Sequence, residues 1–247
     1  MCRHLGYLGA PRTLHELLVV PEHSLVRQSY EPRRQQHGLV NVDGFGAGWW
    51  TESREQPVRY RRAQPIWTDP SFLDLAEVVS STAVIAAVRS ASPGFAADES
   101  ATAPFRDGRW LFSHNGTVEH WQRLADALPT EDLVGLEARM DSALLWAMVK
   151  RRLGDGASPG EALVDVVRDV VRVTPGRMNL LLGDGRRMAA TAFGSSLVWR
   201  TVAGPGRVDE GVVVASEPYD DEPGWHDVPE GSLVVVEGSA AAVTELS

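Results

Sequence analysis

A second cysteine is missing from this chain of 247 residues; Cys2 stands alone. One thiol excludes an internal disulfide and a four-ligand thiolate metal site. No apolar run approaches the ~20 residues that a membrane-spanning helix requires. Positive charge is scarce as well, with 24 Lys and Arg against 33 Asp and Glu and a net charge of −9. Nucleic-acid binding needs clustered positive charge, so that class of partner is excluded. The short basic clusters, Arg33-Arg34 and Arg59-Tyr60-Arg61-Arg62, suit a solvated face or one small anionic substrate. No repeat, no G-x-G-x-x-G fingerprint, no Walker A motif and no H-E-x-x-H occurs. The N-terminus lacks the basic-then-apolar layout of a signal peptide, which predicts a cytoplasmic location.

What is present is ordinary in bulk: 43% apolar and 23% charged residues, in a chain long enough to bury a sizeable core. A strand is predicted over Arg3–Leu8, then a short helix capped by Thr13, a long loop from Pro21 to about Val42, and a strand after Asp43-Gly44. Phe72–Ser80 reads as helix and Ala83–Val88 as a strand buried on both faces, ending at Arg89. Asp107-Gly108 signals a hairpin whose outgoing strand, Arg109–His114, stops at an Asn115-Gly116 turn. A helix is expected from about Glu119 to Leu128. Met140–Leu153 and Glu161–Val173 have amphipathic helical spacing. Strands follow over Asn179–Leu182, Met188–Phe193, Leu197–Thr201, Val212–Ala215 and Leu233–Val236. Strands bracketing a helical block predict one α+β domain over residues 1–247, two sheets with helices outside them.

Three features could carry chemistry. Removal of Met1 would leave Cys2 with a thiol and a free α-amine on one residue. The amine titrates near about 7.7–8.0, so it can act as the base for its own thiol. Asn115-Gly116 offers a side-chain amide and a glycine N–H, two donors suited to one developing oxyanion. Arg89 ends a buried strand, a poor place for an unpaired guanidinium, and Asp141 opens a helix. As a pair they would match the α-carboxylate and α-ammonium of an amino acid. Each also has a plain structural reading: a cysteine packed as a small hydrophobe, an ordinary Asn-Gly turn, a helix-capping aspartate. His114 could orient Asn115 or be a satisfied structural histidine. Ser216-Glu217-Pro218-Tyr219-Asp220-Asp221 reads as a solvated acidic loop.

Taken in order, Met1-Cys2-Arg3, Gly44–Gly48, Arg89-Ser90-Ala91-Ser92, Ser113-His114-Asn115-Gly116 and Met140-Asp141-Ser142 resemble the class II glutamine amidotransferase domains, N-terminal nucleophile hydrolases with an αββα sandwich. The likeness is tightest to the γ-glutamyl hercynylcysteine S-oxide hydrolases of ergothioneine biosynthesis. It extends through Pro32-Arg33-Arg34-Gln35, Ala103-Pro104-Phe105, Ala215–Asp221 and Pro223-Gly224-Trp225, nearly the whole chain. The resemblance implies a four-layer αββα fold, with Cys2 as nucleophile and Asn115 and Gly116 as the oxyanion hole. It further implies Arg89 and Asp141 as clamps on the glutamyl α-groups. The wider pattern continues after its arginine with tryptophan, threonine and histidine, where this chain has Ser90, Ser92 and Pro93. Ser92 is therefore assigned to the pocket wall on position alone.

The implied reaction is hydrolysis of a γ-glutamyl amide through a Cys2 thioester, with a small-molecule γ-glutamyl substrate and neither metal nor cofactor. The expected leaving group carries a trimethylammonium, which favours an aromatic cage. Phe45, Trp49, Trp50 and Trp67 are its candidates, with Trp49 and Trp67 foremost. Arg33, Arg34 or Arg61 could meet the leaving group's carboxylate. A second function class fits the same residues: a glutaminase domain supplying ammonia to a separate synthetase partner. A third is a non-catalytic binding protein. The sequence is compatible with a monomer or a homo-oligomer.

Overall fold

The computed structural model describes residues 2–36, 38, 40–91, 98–203 and 211–246. In chain order the first half holds β1 (Arg3–Thr13), α1 (Leu14–Leu18), α2 (Leu25–Gln28), β2 (Phe45–Trp49), β3 (Val58–Arg62), α3 (Pro70–Val78), β4 (Ser80–Val88), β5 (Phe105–Asp107) and β6 (Trp110–Val118). The second half holds α4 (Thr130–Val134), α5 (Asp141–Gly154), α6 (Pro159–Val173), β7 (Gly176–Gly183), β8 (Arg187–Ala192), β9 (Val198–Val202), β10 (Gly211–Ala215), β11 (His226–Asp227), β12 (Ser232–Glu237) and β13 (Ala240–Glu245). One sheet runs β11-β9-β10-β1-β4-β2-β3 and the other β13-β12-β8-β7-β6-β5.

The layers follow from side-chain alternation. Along β1, Leu5 and Tyr7 point outward into a core shared with Leu14 and Leu17 of α1, Leu25 of α2 and Phe72 of α3. Leu8, on the other face, meets Leu111, Leu181 and Met188 of the second sheet. Phe112 and Leu182 send their side chains to the far side, under Leu144 and Trp146 of α5 and Leu163 and Val166 of α6. The order is helices, sheet, sheet, helices, which is the expected αββα sandwich. Gly6 lets the two sheets close, since a Cβ there would lie 2.3 Å from Met188 Sδ. Among the described residues, no helix is long and apolar enough to cross a membrane.

Local signals set several ends. Thr13 and Glu16 form a capping box: Thr13 Oγ1 accepts from Glu16 N at 3.1 Å and Glu16 Oε2 accepts from Thr13 N at 2.7 Å. Ser158 and Glu161 do the same for α6, with Pro159 in its first turn. Two expectations change. Asn115-Gly116 is no turn; β6 runs through both residues to Val118 because β7 pairs with it all the way, ending at Val118↔Gly176. The helix expected at 119–128 is a 3₁₀ turn over Trp121–Ala127, entered through His120 at φ 46°.

Candidate active site

Cys2 sits just ahead of β1, the strand flanked by β10 and β4 near the middle of its sheet. It continues the even-numbered face of β1, the face turned toward the second sheet, and is half-buried. It opens onto a narrow cleft. Arg89, Thr102, His114, Met140 and Ser142 also line that cleft. Arg89 arrives there because Val88 of β4 pairs with Arg3, which brings the end of one strand beside the start of the other.

The far wall is an open edge of β6. Its partner β5 begins only at Phe105, opposite Phe112, so no strand covers residues 113–118 on that side among the described residues. Met178 and Leu180 of β7 send their N–H groups toward β8, to Phe193 O at 2.7 Å and Thr191 Oγ1 at 3.0 Å. Asn179 and Leu181 therefore serve the ladder with β6, opposite Asn115 and Ser113. Backbone alternation turns the N–H of Gly116 the other way, to the open edge. Val118, two residues on, shows the same direction: its N–H bonds to Asp141 Oδ2 at 3.0 Å. Glycine is required at 116, since a Cβ there would stand 1.8 Å from the Arg177 carbonyl oxygen.

Asn115 is fully buried on the inter-sheet face of β6, its Nδ2 3.3 Å from Ser216 Oγ. His114 points to the opposite face and does not orient Asn115. Its Nε2 lies 2.9 Å from the Arg177 carbonyl, an acceptor only, so Nε2 carries the proton. Nδ1 then accepts from Ser142 Oγ at 2.9 Å. His4, between the sheets, has Nδ1 3.3 Å from Ser113 Oγ. Burial, with His114 and Arg3 adding like charge, pushes its pKa from 6.5 down to about 3, so it is a neutral imidazole two residues from Cys2.

Two charged side chains face the α-group question. Arg89 is 4% exposed; its Nη1 reaches the Asp43 carbonyl at 3.4 Å, and its backbone N–H bonds to Gly44 O at 2.8 Å. Asp141 is buried at the first turn of α5, where Oδ1 accepts from Ser142 N at 2.7 Å. With Val118 N on Oδ2, its carboxylate fastens α5 to the end of β6. Asp141 itself does not line the cleft; its neighbours Met140 and Ser142 do.

The remaining candidates separate. Trp49 is 6% exposed and belongs to the core beneath α1 and α3, and Phe45 stacks edge-on with Phe72 at 4.9 Å. Trp50 Nε1 donates to Arg109 O at 2.9 Å, beside Gly185 on the hairpin between β7 and β8. The cage of four aromatics is therefore not assembled: β2 is an interior strand whose Phe45 and Trp49 share one face and pack into the core. Trp67 keeps 37% exposure and meets Tyr30 edge-to-face at 5.2 Å. Ser92 lies outside the described residues. Arg33 and Arg34 pair with Asp221 and Asp227, and Arg61 with Glu137 at 3.0 Å.

The reading of residues 216–221 as a solvated loop is corrected for three members, among them Tyr219, which is 5% exposed and belongs to the core beneath α1 and α3. Ser216 and Glu217 are fully buried. Glu217 accepts the N–H groups of Arg33 and Arg34 at 2.9 and 2.7 Å and lies 3.8 Å from Arg3 Nε. Burial lowers the pKa of Arg3, while Glu217 and Cys2 oppose that shift, so the residue beside Cys2 is a cation held inside the fold. Ser142 and Ser216 stand in stretches quoted from the sequence, but neither they nor His4 had a role assigned; the signal available was adjacency to Asp141, to an apolar strand and to Cys2.

Comparison with known proteins agrees with this geometry. The family pattern of class-II glutamine amidotransferases matches residues 19–205. The chain is 42% identical over 247 residues to a gamma-glutamyl-hercynylcysteine sulfoxide hydrolase from Mycolicibacterium smegmatis, covering all of both chains. It is 41% identical to one of the same name from Mycobacterium tuberculosis, covering all of this chain and 97% of that one. A glutamine aminotransferase class-II domain protein from Silicibacter pomeroyi has the same fold, with a TM-score of 0.71 at 21% identity and full coverage of both chains. The chain thus belongs to the class-II glutamine amidotransferases and, within them, to the family of the gamma-glutamyl-hercynylcysteine sulfoxide hydrolases.

Proposed function

We propose that the protein is an amidohydrolase that cleaves the γ-glutamyl amide bond of γ-glutamyl hercynylcysteine S-oxide, releasing glutamate and hercynylcysteine S-oxide. One observation carries this reading: Cys2 and Arg89 meet in a single cleft bounded by the open edge of β6, in a chain 42% identical end to end to a hydrolase of that name. With Met1 removed, the Cys2 α-amine takes the thiol proton and the sulfur attacks the γ-carbonyl. The Asn115 amide and the Gly116 N–H receive the developing oxyanion. The α-amine returns its proton to the leaving amine as the C–N bond breaks, and water hydrolyses the thioester.

Arg89 holds the α-carboxylate of the glutamyl group. Asp141 serves the α-ammonium with the lone pairs its two amide donors leave unused. Trp67, beside Tyr30, presents an aromatic face to the trimethylammonium of the leaving group. A cytoplasmic location fits a chain whose one cysteine acts as a free thiol.

The test is glutamate release by the purified protein from γ-glutamyl hercynylcysteine S-oxide and, separately, from glutamine. A higher kcat/KM on the sulfoxide supports the assignment, and glutamine as the better substrate overturns it. Intact mass should show loss of Met1.

A further inference from the structure

Ser216 directly follows β10, and its backbone is held from two sides. Its N–H donates to His4 O at 3.0 Å, and its carbonyl accepts from Ser196 Oγ at 2.7 Å. Its hydroxyl has a separate task. Oγ accepts the His4 N–H at 3.0 Å and lies 3.3 Å from Asn115 Nδ2. In that arrangement two N–H donors face one hydroxyl, and Asn115 Oδ1 is buried without a partner among the described residues. A serine hydroxyl has one hydrogen to give, and a buried carbonyl oxygen needs one to accept.

A half-turn of the Asn115 amide, which exchanges two atoms of nearly equal size, meets both needs together. Ser216 Oγ then accepts from His4 N–H and donates its own hydrogen to Asn115 Oδ1. Both hydrogens of Nδ2 are released from Ser216 and stand where Oδ1 stood. We propose that Ser216 is a positioning residue that fixes the Asn115 amide with its donors turned away from Ser216 and unpaired within the protein, available to an oxyanion. The same hydroxyl ties that amide to the backbone two residues after the nucleophile. One atom thereby sets the spacing between attacking sulfur and oxyanion donor, which sit on different sheets. This inference rests on the oxyanion role proposed for Asn115.

A double-mutant cycle tests it, using Ser216→Ala, Asn115→Ala and the pair, with thioester formation followed in single turnover. Ser216→Ala keeps the backbone bonds to His4 and Ser196, and thermal melting checks that the fold survives. The expected result is a loss of about tenfold in the acylation rate with KM within about twofold. In the Asn115→Ala background the same change should cost less than about twofold, because the group it positions is gone. Alkylation of Cys2 by iodoacetamide, which needs no oxyanion hole, should proceed at the wild-type rate. Ser216→Cys, which keeps the shape with a weaker donor, should fall between serine and alanine. Equal losses in both backgrounds, or a fall in alkylation that matches the fall in acylation, would overturn the inference and leave the oxyanion hole standing. An Asn115→Ala variant with an unchanged acylation rate would remove the oxyanion reading and this inference with it.

Discussion

Asn115 and Asn179 face one another across β6 and β7, both fully buried in the same layer, yet their amides are used in opposite ways. Asn179 is saturated: Nδ2 donates to Ser195 O and Ser196 O at 3.0 Å each, and Oδ1 accepts from Phe193 N at 3.0 Å. Asn115 makes one long bond to Ser216 and leaves the other end of its amide without a partner among the described residues. A buried amide with spare capacity costs stability, whereas a saturated one fastens a loop to a strand. The contrast extends along the layer. Away from Cys2, Leu8, Ile85, Leu111, Leu181 and Val214 fill the space between the sheets with apolar atoms. Near Cys2 the same layer holds His4, Ser113, Asn115 and Ser216. The apolar end supplies the stability that lets the polar end stay incompletely bonded.

Substitutions can break or sharpen that contrast. The largest effect is expected from Cys2→Ala, which removes the proposed nucleophile: glutamate release should fall by roughly 10³-fold or more while the melting temperature stays near wild type. Turnover that survives this change ends the thioester mechanism. Next come the two asparagines. Asn115→Ala should lower kcat by about 10²–10³-fold and leave the denaturant midpoint almost unchanged. Asn179→Ala should do the reverse, destabilising the fold by roughly 1–3 kcal/mol as its three partners lose their bonds, with kcat of the folded protein retained. Similar profiles for the two variants would erase the distinction.

Acid should act on the polar end first. His4 titrates near 6.5 in an unfolded chain and about 3 in the fold, so between those values the unfolded state binds more protons. Stability due to the neutral imidazole is complete above about 6.5 and drains away as pH falls toward about 3. Urea midpoints at pH 7 and 4.5 should therefore differ more for wild type than for His4→Asn, and an equal difference would dismiss His4 as the source. The smallest effect is expected from Trp67→Ala, a rise of about two- to fivefold in KM for the sulfoxide substrate, the scale of an exposed cation–π contact. Turnover of a simple γ-glutamyl amide should be spared, and equal change on both substrates would free Trp67 from the leaving-group site.

The sandwich was legible because its elements are strongly patterned: the Thr13 cap, the Ala83–Val88 run and the Met140 and Glu161 helices stand within a few residues of where spacing puts them. Strands with weak patterns escaped. Val58–Arg62 carries three arginines, and Ala240–Glu245 is largely exposed, so neither shows a buried face to read. Asn115-Gly116 misled because turn chemistry is local, whereas eight ladder pairs with β7 hold both residues extended. Cys2, Arg89, Asn115 and Gly116 could be picked out by residue type and family likeness. Their supports could not: Ser216 and Glu217 look solvated in sequence, and only pairing of β10 with β1 shows them buried. Trp49 illustrates the converse, a residue type suited to a cage but spent on the core.

The bond from His4 N to Ser216 Oγ joins positions 212 residues apart. Its consequence appears during synthesis on the ribosome. Cys2 is made long before β10, and the strand that follows it gains its second neighbour only when residues 211–215 have been made. A nascent chain therefore carries the thiol long before it carries an active site. A product that stops short of β10 also lacks Ser216, so the geometry proposed for the attack is withheld until residues 211–216 have been made.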